Sequence, residues 1–165
     1  MPRAGTFIYH THMRDVVQLT SGLYGPIVVL EPGRTFDART DHLEVVGWDG
    51  LEGNLLFNGD SVTSPAIEMG AGEAHRLRFV NIGAAGPAII SLSRDTIVAE
   101  WRALAKDGAD LPAEQARVRK ARLFIVAGET YDFEFTPPQA GEYRLWAPTT
   151  RDPKGPRWSR RIIVH

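Results

Sequence analysis

Two stretches of alternating residues decide the fold: residues 76–81, Arg-Leu-Arg-Phe-Val-Asn, and residues 130–135, Thr-Tyr-Asp-Phe-Glu-Phe. In both, large apolar side chains recur at every second position, mostly with charged side chains between them. Successive side chains of a β-strand point to opposite faces of a sheet. The alternation therefore predicts strands that turn one face toward a core.

Short runs of the same kind extend in both directions from these two. Sixteen glycines and 11 prolines separate the runs, at intervals of about 8 to 12 residues that favour an antiparallel sandwich or barrel over βαβ units. A helix is expected at residues 14–19, ending near Gly22, which suits a left-handed cap, and a helical turn within residues 112–121. The fold class is therefore all-β. The other predicted strands are residues 5–12, 26–30, 42–48, 54–58, 88–92, 97–104, 123–126, 143–147 and 160–164.

Composition excludes several classes of function. With 19 Lys and Arg against 20 Asp and Glu, the net charge of -1 provides no basic field for nucleic acid. The chain has no cysteine, so it can form neither a disulfide nor a thiolate metal site. The apolar stretch at residues 25–30 is far shorter than the roughly 20 residues of a membrane span. No secretory signal precedes the first strand, so we expect a cytosolic protein or one whose beginning is missing.

The chain is expected to divide into two units. Residues 33–40 are rich in turn formers and lack periodicity, so they are the predicted linker. Residues 1–32 then hold only two strands, and an isolated pair of strands is marginally stable at best. We therefore expect this first unit to be incomplete and loosely held, and residues 41–165 to form a sandwich by themselves.

One pair of histidines, His10 and His12, is a candidate metal site. On a strand, residues two apart share a face, with Cα atoms about 6 to 7 Å apart. That spacing is wide for one ion but suits two neighbouring ions, and imidazole is a ligand for copper, zinc, iron and nickel. The pair could equally be exposed strand histidines without a ligand. The other three histidines, His42, His75 and His165, are expected at the surface or the sheet rim.

Two motifs at matching separation carry a resemblance. Gly-Thr-Phe-Ile-Tyr-His-Thr-His at 5–12, followed by Gly-Leu-Tyr-Gly-Pro-Ile-Val-Val at 22–29, resembles the multicopper oxidases, laccase-like enzymes built from cupredoxin domains. Later blocks are similar to the next cupredoxin domain of that family. The resemblance implies a cupredoxin-like Greek-key β-sandwich at 41–165, of the plastocyanin-like type without a type 1 copper. Residues 1–32 would be the last strands of an incomplete neighbouring cupredoxin domain.

The resemblance also assigns roles to individual residues. His10 and His12 would each bind one of the two type 3 coppers, within the cluster where dioxygen is reduced to water. Asp15 lies three residues beyond His12, and from this position it could be a hydrogen-bond partner behind a ligand or a proton relay. An acid in a first helical turn can equally be placed there by the helix dipole. Gln18 could orient a ligand or cap the turn.

Several copper ligands that the family requires are missing from this chain, and their absence limits the expected function. Only one of the family's His-rich motifs is present, and Thr11 stands where domains with a blue copper carry Cys. The chain would be part of a copper oxidase and inactive alone, with the missing ligands on the parent polypeptide or other subunits. Dioxygen and a small donor, phenol-like or a metal ion, would be its substrates, in the periplasm or outside the cell. The alternatives are a non-catalytic copper-binding or assembly module and an immunoglobulin-like adhesion sandwich.

Overall fold

The protein is built almost wholly from β-strands. The computed structural model describes residues 3–48, 54–83, 86–149 and 157–165, and for residues 15 and 16 it describes the backbone alone. The helix, α1, is Asp15–Thr20. The strands are β1 Gly5–His10, β2 Tyr24–Val29, β3 Asp41–Trp48, β4 Leu55–Phe57, β5 Thr63–Met69, β6 His75–Asn81, β7 Ala88–Arg94, β8 Ile97–Val98, β9 Glu100–Lys106, β10 Ala109–Asp110, β11 Val118–Lys120, β12 Arg122–Ile125, β13 Thr130–Phe135, β14 Gly141–Pro148 and β15 Arg157–Val164.

Within the described residues these strands form a hairpin and two larger sheets. β1 and β2 pair antiparallel over their whole length. The first sheet has the order β10-β9-β13-β6-β3-β4, with β11 also on β9, and the second has the order β12-β7-β14-β15-β5, with β8 on β7. The all-β sandwich is thus confirmed. It is not purely antiparallel, because β3 pairs parallel with β6 and β5 pairs parallel with β15. The pairing of β3 with β6 arises because the chain passes through the second sheet at β5 between β4 and β6.

The core lies between the two sheets and is rich in aromatic side chains. Leu77, Phe79 and Phe133 are fully buried, as the alternation predicted. The rings of Trp101 and Phe133 stack with centroids 4.2 Å apart, and those of Phe57 and Trp158 stack at 4.5 Å. Burial of each such side chain contributes about 1.5–3 kcal/mol, so this layer is the main stabilising feature of the sandwich.

Three local predictions need correction. β1 ends at His10 rather than at residue 12. Residues 112–121 are not helical but form a turn and then β11. β5 was not predicted, because it begins Thr-Ser-Pro and proline is a poor strand residue except at a sheet edge, which is where β5 lies. The helix prediction is confirmed, and Gly22 has a φ of 84° just beyond it.

The outer face of the first sheet carries a buried ionic network, which we call the hairpin interface cluster: Thr6, Asp41, Arg76, Arg78 and Asp132. The Asp132 carboxylate accepts from the Thr6 hydroxyl at 2.7 Å and from Nη1 of Arg78 at 2.7 Å. Arg76 also donates to Asp132 at 2.6 Å, and Arg78 donates to Asp41 at 2.7 Å. Arg78 and Asp132 are only 4% and 1% exposed, although their positions in the alternation predict a solvent face.

The β1–β2 hairpin is what covers this face. The hydroxyl of Thr130 donates to the carbonyl of Thr6 at 2.8 Å, and Arg3 donates to the carbonyl of Gly108 at 2.7 Å. A Cβ on Gly108 would lie 2.2 Å from the Phe7 ring, so this close approach requires glycine. The hairpin is therefore docked on the sandwich, and the structure gives no support to the expectation that it is loosely held.

Among the described residues, no helix has the length and apolar character that a bilayer crossing requires.

Candidate metal centre

His10 and His12 lie at the free end of the hairpin. His10 is the last residue of β1, paired with Tyr24, and His12 follows in the loop before α1. The strand ends here because the Thr11 side chain turns the chain: its hydroxyl oxygen accepts from the Met13 amide at 3.2 Å. Both histidines are exposed. The prediction that strand geometry sets their spacing is wrong, since only one of them is in the strand.

The two imidazole rings are nevertheless close neighbours. Their centroids are 4.6 Å apart and their planes are tilted by 37°. Nδ1 of His10 is 2.8 Å from the carbonyl oxygen of Thr11, which is a contact that the protonated nitrogen makes as a donor. A neutral ring with this tautomer keeps the Nε2 lone pair free for a metal ion. The donor chemistry of the pair therefore fits a metal that prefers imidazole.

Gln18 supports the loop between the two histidines rather than either ring. The Thr11 hydroxyl donates to the Oε1 atom of Gln18 on α1, and the Thr11 amide donates to the carbonyl of Leu23 at 3.3 Å. Leu23 in turn donates its amide to the Gln18 carbonyl at 3.0 Å. Thr11 is thus attached to α1 through its side chain, and to the residue that precedes β2 through its backbone.

Asp15 is the first residue of α1, and its side chain lies outside the described atoms. Its role as a proton relay or as a partner behind a ligand remains a proposal. The residue before it, Arg14, has a φ of 51° and makes no capping hydrogen bond with its side chain.

The coordination sphere around the histidine pair is open. Among the described residues, no group of three or more His, Cys, Asp or Glu side chains could hold a metal ion. Large apolar side chains at this end of the chain are exposed instead: Tyr9, Met13, Val17 and Leu23 are each more than half accessible, from 53% to 75%. Several large apolar side chains exposed within one short segment are a feature of surfaces that another protein part covers. Any further ligands would have to come from outside the described residues.

A second histidine pair, which the sequence did not predict, lies inside the sandwich. His42 and His75 are 7% and 1% exposed, with Nε2 of His42 3.2 Å from Nδ1 of His75. They meet because β3 and β6 are parallel neighbours, which no local signal predicts. The expectation of surface or rim positions is wrong for these two, but His165 is at the surface, 2.6 Å from Glu68.

Burial changes the protonation of this inner pair. It lowers the pKa of His42 to about 4, assisted by the charge of Arg160 and by the repulsion that would arise if His75 were protonated at the same time, and opposed by Asp41. Burial also lowers the pKa of His75, against the attraction of Glu73, whose carboxylate lies 3.6 Å from its Nε2. Both rings are therefore neutral at pH 7.

The lowered pKa of His42 predicts that the folded protein becomes less stable as the pH falls. The unfolded His42 has a pKa of 6.5 and the folded one about 4, so between these values the unfolded state binds the extra proton. We expect the free energy of unfolding to fall by roughly 2–3 kcal/mol from this residue as the pH drops from 6.5 to 4. The measurement is urea unfolding at a series of pH values. His42→Gln, which cannot titrate, should flatten this part of the profile, and His165→Ala should not. An unchanged slope in His42→Gln would contradict the assignment.

Several solved structures similar to this chain are copper proteins. It matches the blue copper oxidase from Nitrosomonas europaea with a TM-score of 0.77 and 21% identity, over 99% of this chain and 57% of that one. A multicopper oxidase matches with a TM-score of 0.76 and 18% identity, over 100% and 57%. The copper nitrite reductase from Nitrosomonas europaea matches with a TM-score of 0.72 and 17% identity, over 99% and 63%. No protein-family model and no curated protein matches.

These matches define the class of fold. The chain has the cupredoxin-like β-sandwich architecture found in multicopper oxidases, and the resemblance inferred from its motifs is confirmed at the level of the fold. It spans 57% of the length of the first two of these structures.

Proposed function

We propose that this chain is part of a copper-dependent oxidoreductase of the multicopper oxidase kind, which uses dioxygen as electron acceptor. His10 and His12 would each hold one of two neighbouring type 3 copper ions. The observation that carries the proposal is the pair of exposed imidazoles, 4.6 Å apart, with Nε2 of His10 free. The fold shared with copper oxidases supports the choice of metal.

When bound, copper supplies the one-electron chemistry by which dioxygen is reduced to water. The residues of this chain hold and orient the ligands. The Thr11 carbonyl selects the tautomer of His10, and Gln18 holds Thr11 in place. Asp15, at the start of α1, would deliver protons toward the site or accept a hydrogen bond from one of the ligands.

The remaining parts of such an enzyme would lie on the rest of the parent polypeptide or on other subunits. A thiolate-bound copper for electron entry cannot be formed by this chain, since its 165 residues include no cysteine. The exposed apolar side chains around the histidine pair support contact with another protein part at this end. The reducing substrate would be a phenol-like donor or a metal ion, and the location periplasmic or extracellular.

The division of the chain belongs to the same proposal. Residues 1–32 would be the end of one cupredoxin domain, residues 33–40 a linker and residues 41–165 a second cupredoxin-like domain without a type 1 copper. The separate pairing of β1 with β2 supports this division, because neither strand joins the two larger sheets.

Copper binding tests the ligand assignment directly. The chain should bind copper weakly, because two imidazoles alone leave the coordination sphere of a copper ion incomplete. The double variant His10→Ala, His12→Ala should lose this binding in calorimetric titration. His165→Ala is the matched control, since it removes another exposed imidazole, and it should bind as the unaltered chain does. Copper uptake that is unchanged in the double variant would show that the ligands lie elsewhere.

The alternative, a non-catalytic copper-binding or structural module, is favoured by the absence of a third ligand among the described residues. The two functions differ in what the whole protein does. In the full-length parent protein loaded with copper, the same double variant should abolish oxygen consumption with a phenolic donor. Oxygen consumption equal to that of the unaltered protein would exclude a role for the pair in catalysis.

A further inference from the structure

A second site lies away from the hairpin, at an open edge of the sandwich. There a cavity of about 790 Å³, partly open to solvent, is lined by residues of β8 of the second sheet and of β9 and β11 of the first. This volume is in the range of small-molecule pockets, about 300–1,000 Å³. Its walls include Ile97, Val98 and Val118, together with the aromatic rings of Trp101 and Tyr143. The cavity is therefore large enough, and apolar enough, for a ring-sized ligand.

Two residues of the cavity wall each carry a buried hydrogen-bond donor that has no partner. Among the described residues, four buried side-chain polar atoms lack a hydrogen-bond partner, and two of them, Nη1 of Arg94 and Nε1 of Trp101, belong to residues of this wall. Leaving a buried donor unpaired is costly, and such exceptions in a folded protein call for an explanation. Guanidinium and indole groups have no acceptor. A ligand that satisfies them must present acceptor oxygens.

Three cationic side chains line the described part of the cavity wall, and Arg94 is the one that has no carboxylate partner there. The other two are paired: Arg102 with Glu134 at 3.7 Å, and Lys120 with Glu100 at 3.0 Å. The guanidinium carbon of Arg94 lies instead 5.8 Å from the centre of the Tyr143 ring. Asp95 also lines the cavity but forms no ion pair with Arg94. A guanidinium without a carboxylate partner, beside the apolar side chains of Ile97, Val98 and Val118, favours a carboxylate ligand, which it can bind by charge-assisted hydrogen bonds.

We propose that this cavity binds a small carboxylate with an apolar, ring-sized body. The carboxylate accepts hydrogen bonds from Arg94, and the apolar body lies between Ile97, Val98 and Val118. The indole N–H of Trp101 donates to a further acceptor oxygen of the ligand. The site uses neither His10 nor His12, so it does not depend on the proposed copper function.

A titration of the full chain by NMR tests the ligand class. The probe is 3-phenylpropionate, and its neutral counterpart is 3-phenylpropionamide. The carboxylate should shift the indole N–H resonance of Trp101 in a saturable way and should bind at least about tenfold more tightly than the amide, because only the carboxylate forms a charged pair with Arg94. The indole of Trp158, which already donates to Ser64 at 3.1 Å, is the internal control and should not shift.

Two matched variants test the role of Arg94. Arg94→Gln should weaken binding of the carboxylate at least about tenfold, whereas Arg102→Gln, in the same wall but already paired with Glu134, should change it less than about twofold. The amide comparison needs no variant, so it decides the question even if Arg94→Gln does not fold. The proposal is overturned if the Trp101 resonance does not shift, if the amide binds equally well, or if both variants lose affinity equally.

Discussion

Replacing Asp132 with alanine is expected to lower the free energy of unfolding by about 3–5 kcal/mol, the loss typical of removing one partner from a buried ion pair. Asp132 is 1% exposed and accepts hydrogen bonds from Thr6, Arg76 and Arg78. Without it, Arg78, whose side chain is 5% exposed, keeps only Asp41 as a counter-charge. Urea unfolding of the variant and the unaltered chain measures the difference.

Glu142 provides a closely matched control. Like Asp132 it is a carboxylate between two arginines, Arg144 at 3.0 Å and Arg161 at 3.6 Å, but its side chain is 43% exposed. Ion pairs at the surface contribute little, because water solvates each charge once the pair is broken. Glu142→Ala should therefore leave the unfolding midpoint almost unchanged. Equal losses in the two variants would mean that burial of the hairpin interface cluster has no energetic consequence.

Removing the hairpin should have an effect of similar size. A chain that starts at Arg39 is expected to lose about 3–5 kcal/mol, because Thr6 alone takes part in three hydrogen bonds to the sandwich, at roughly 1 kcal/mol each, and the packing of Phe7 on Gly108 is lost as well. The sequence by itself predicts nearly the same midpoint as the full chain, since residues 1–32 contain only two strands. Urea unfolding of the two chains distinguishes these expectations.

A substitution in the full chain separates the hydrogen bonds from the deletion itself. Thr6→Val keeps the shape of the side chain but removes its hydroxyl, so it should produce only part of the loss seen on deletion. Amide hydrogen exchange gives an independent readout: residues 5–8 should be protected to a degree that approaches residues 77–80. An unchanged midpoint on deletion, together with rapid exchange at residues 5–8, would show that the hairpin is loosely held.

The short copper motif shows how far local sequence can predict a site. The His-x-His spacing and the motifs around it were enough to select His10 and His12, because residues two apart cannot be far from each other. The geometry that makes the pair a plausible ligand set was not predictable. It depends on the Thr11 carbonyl beside His10 and on the link from Thr11 to Gln18, seven residues away.

The sequence alone determined the all-β class and most strands, because alternation with a period of two is a local consequence of strand geometry. Only the tertiary structure decided which charged residues are buried. Arg78 and Asp132 are 54 residues apart in sequence, and His42 and His75 are 33 apart. Whether the second face of a strand meets water or another part of the protein depends on what packs against it, and that packing leaves no periodic signal in the strand itself.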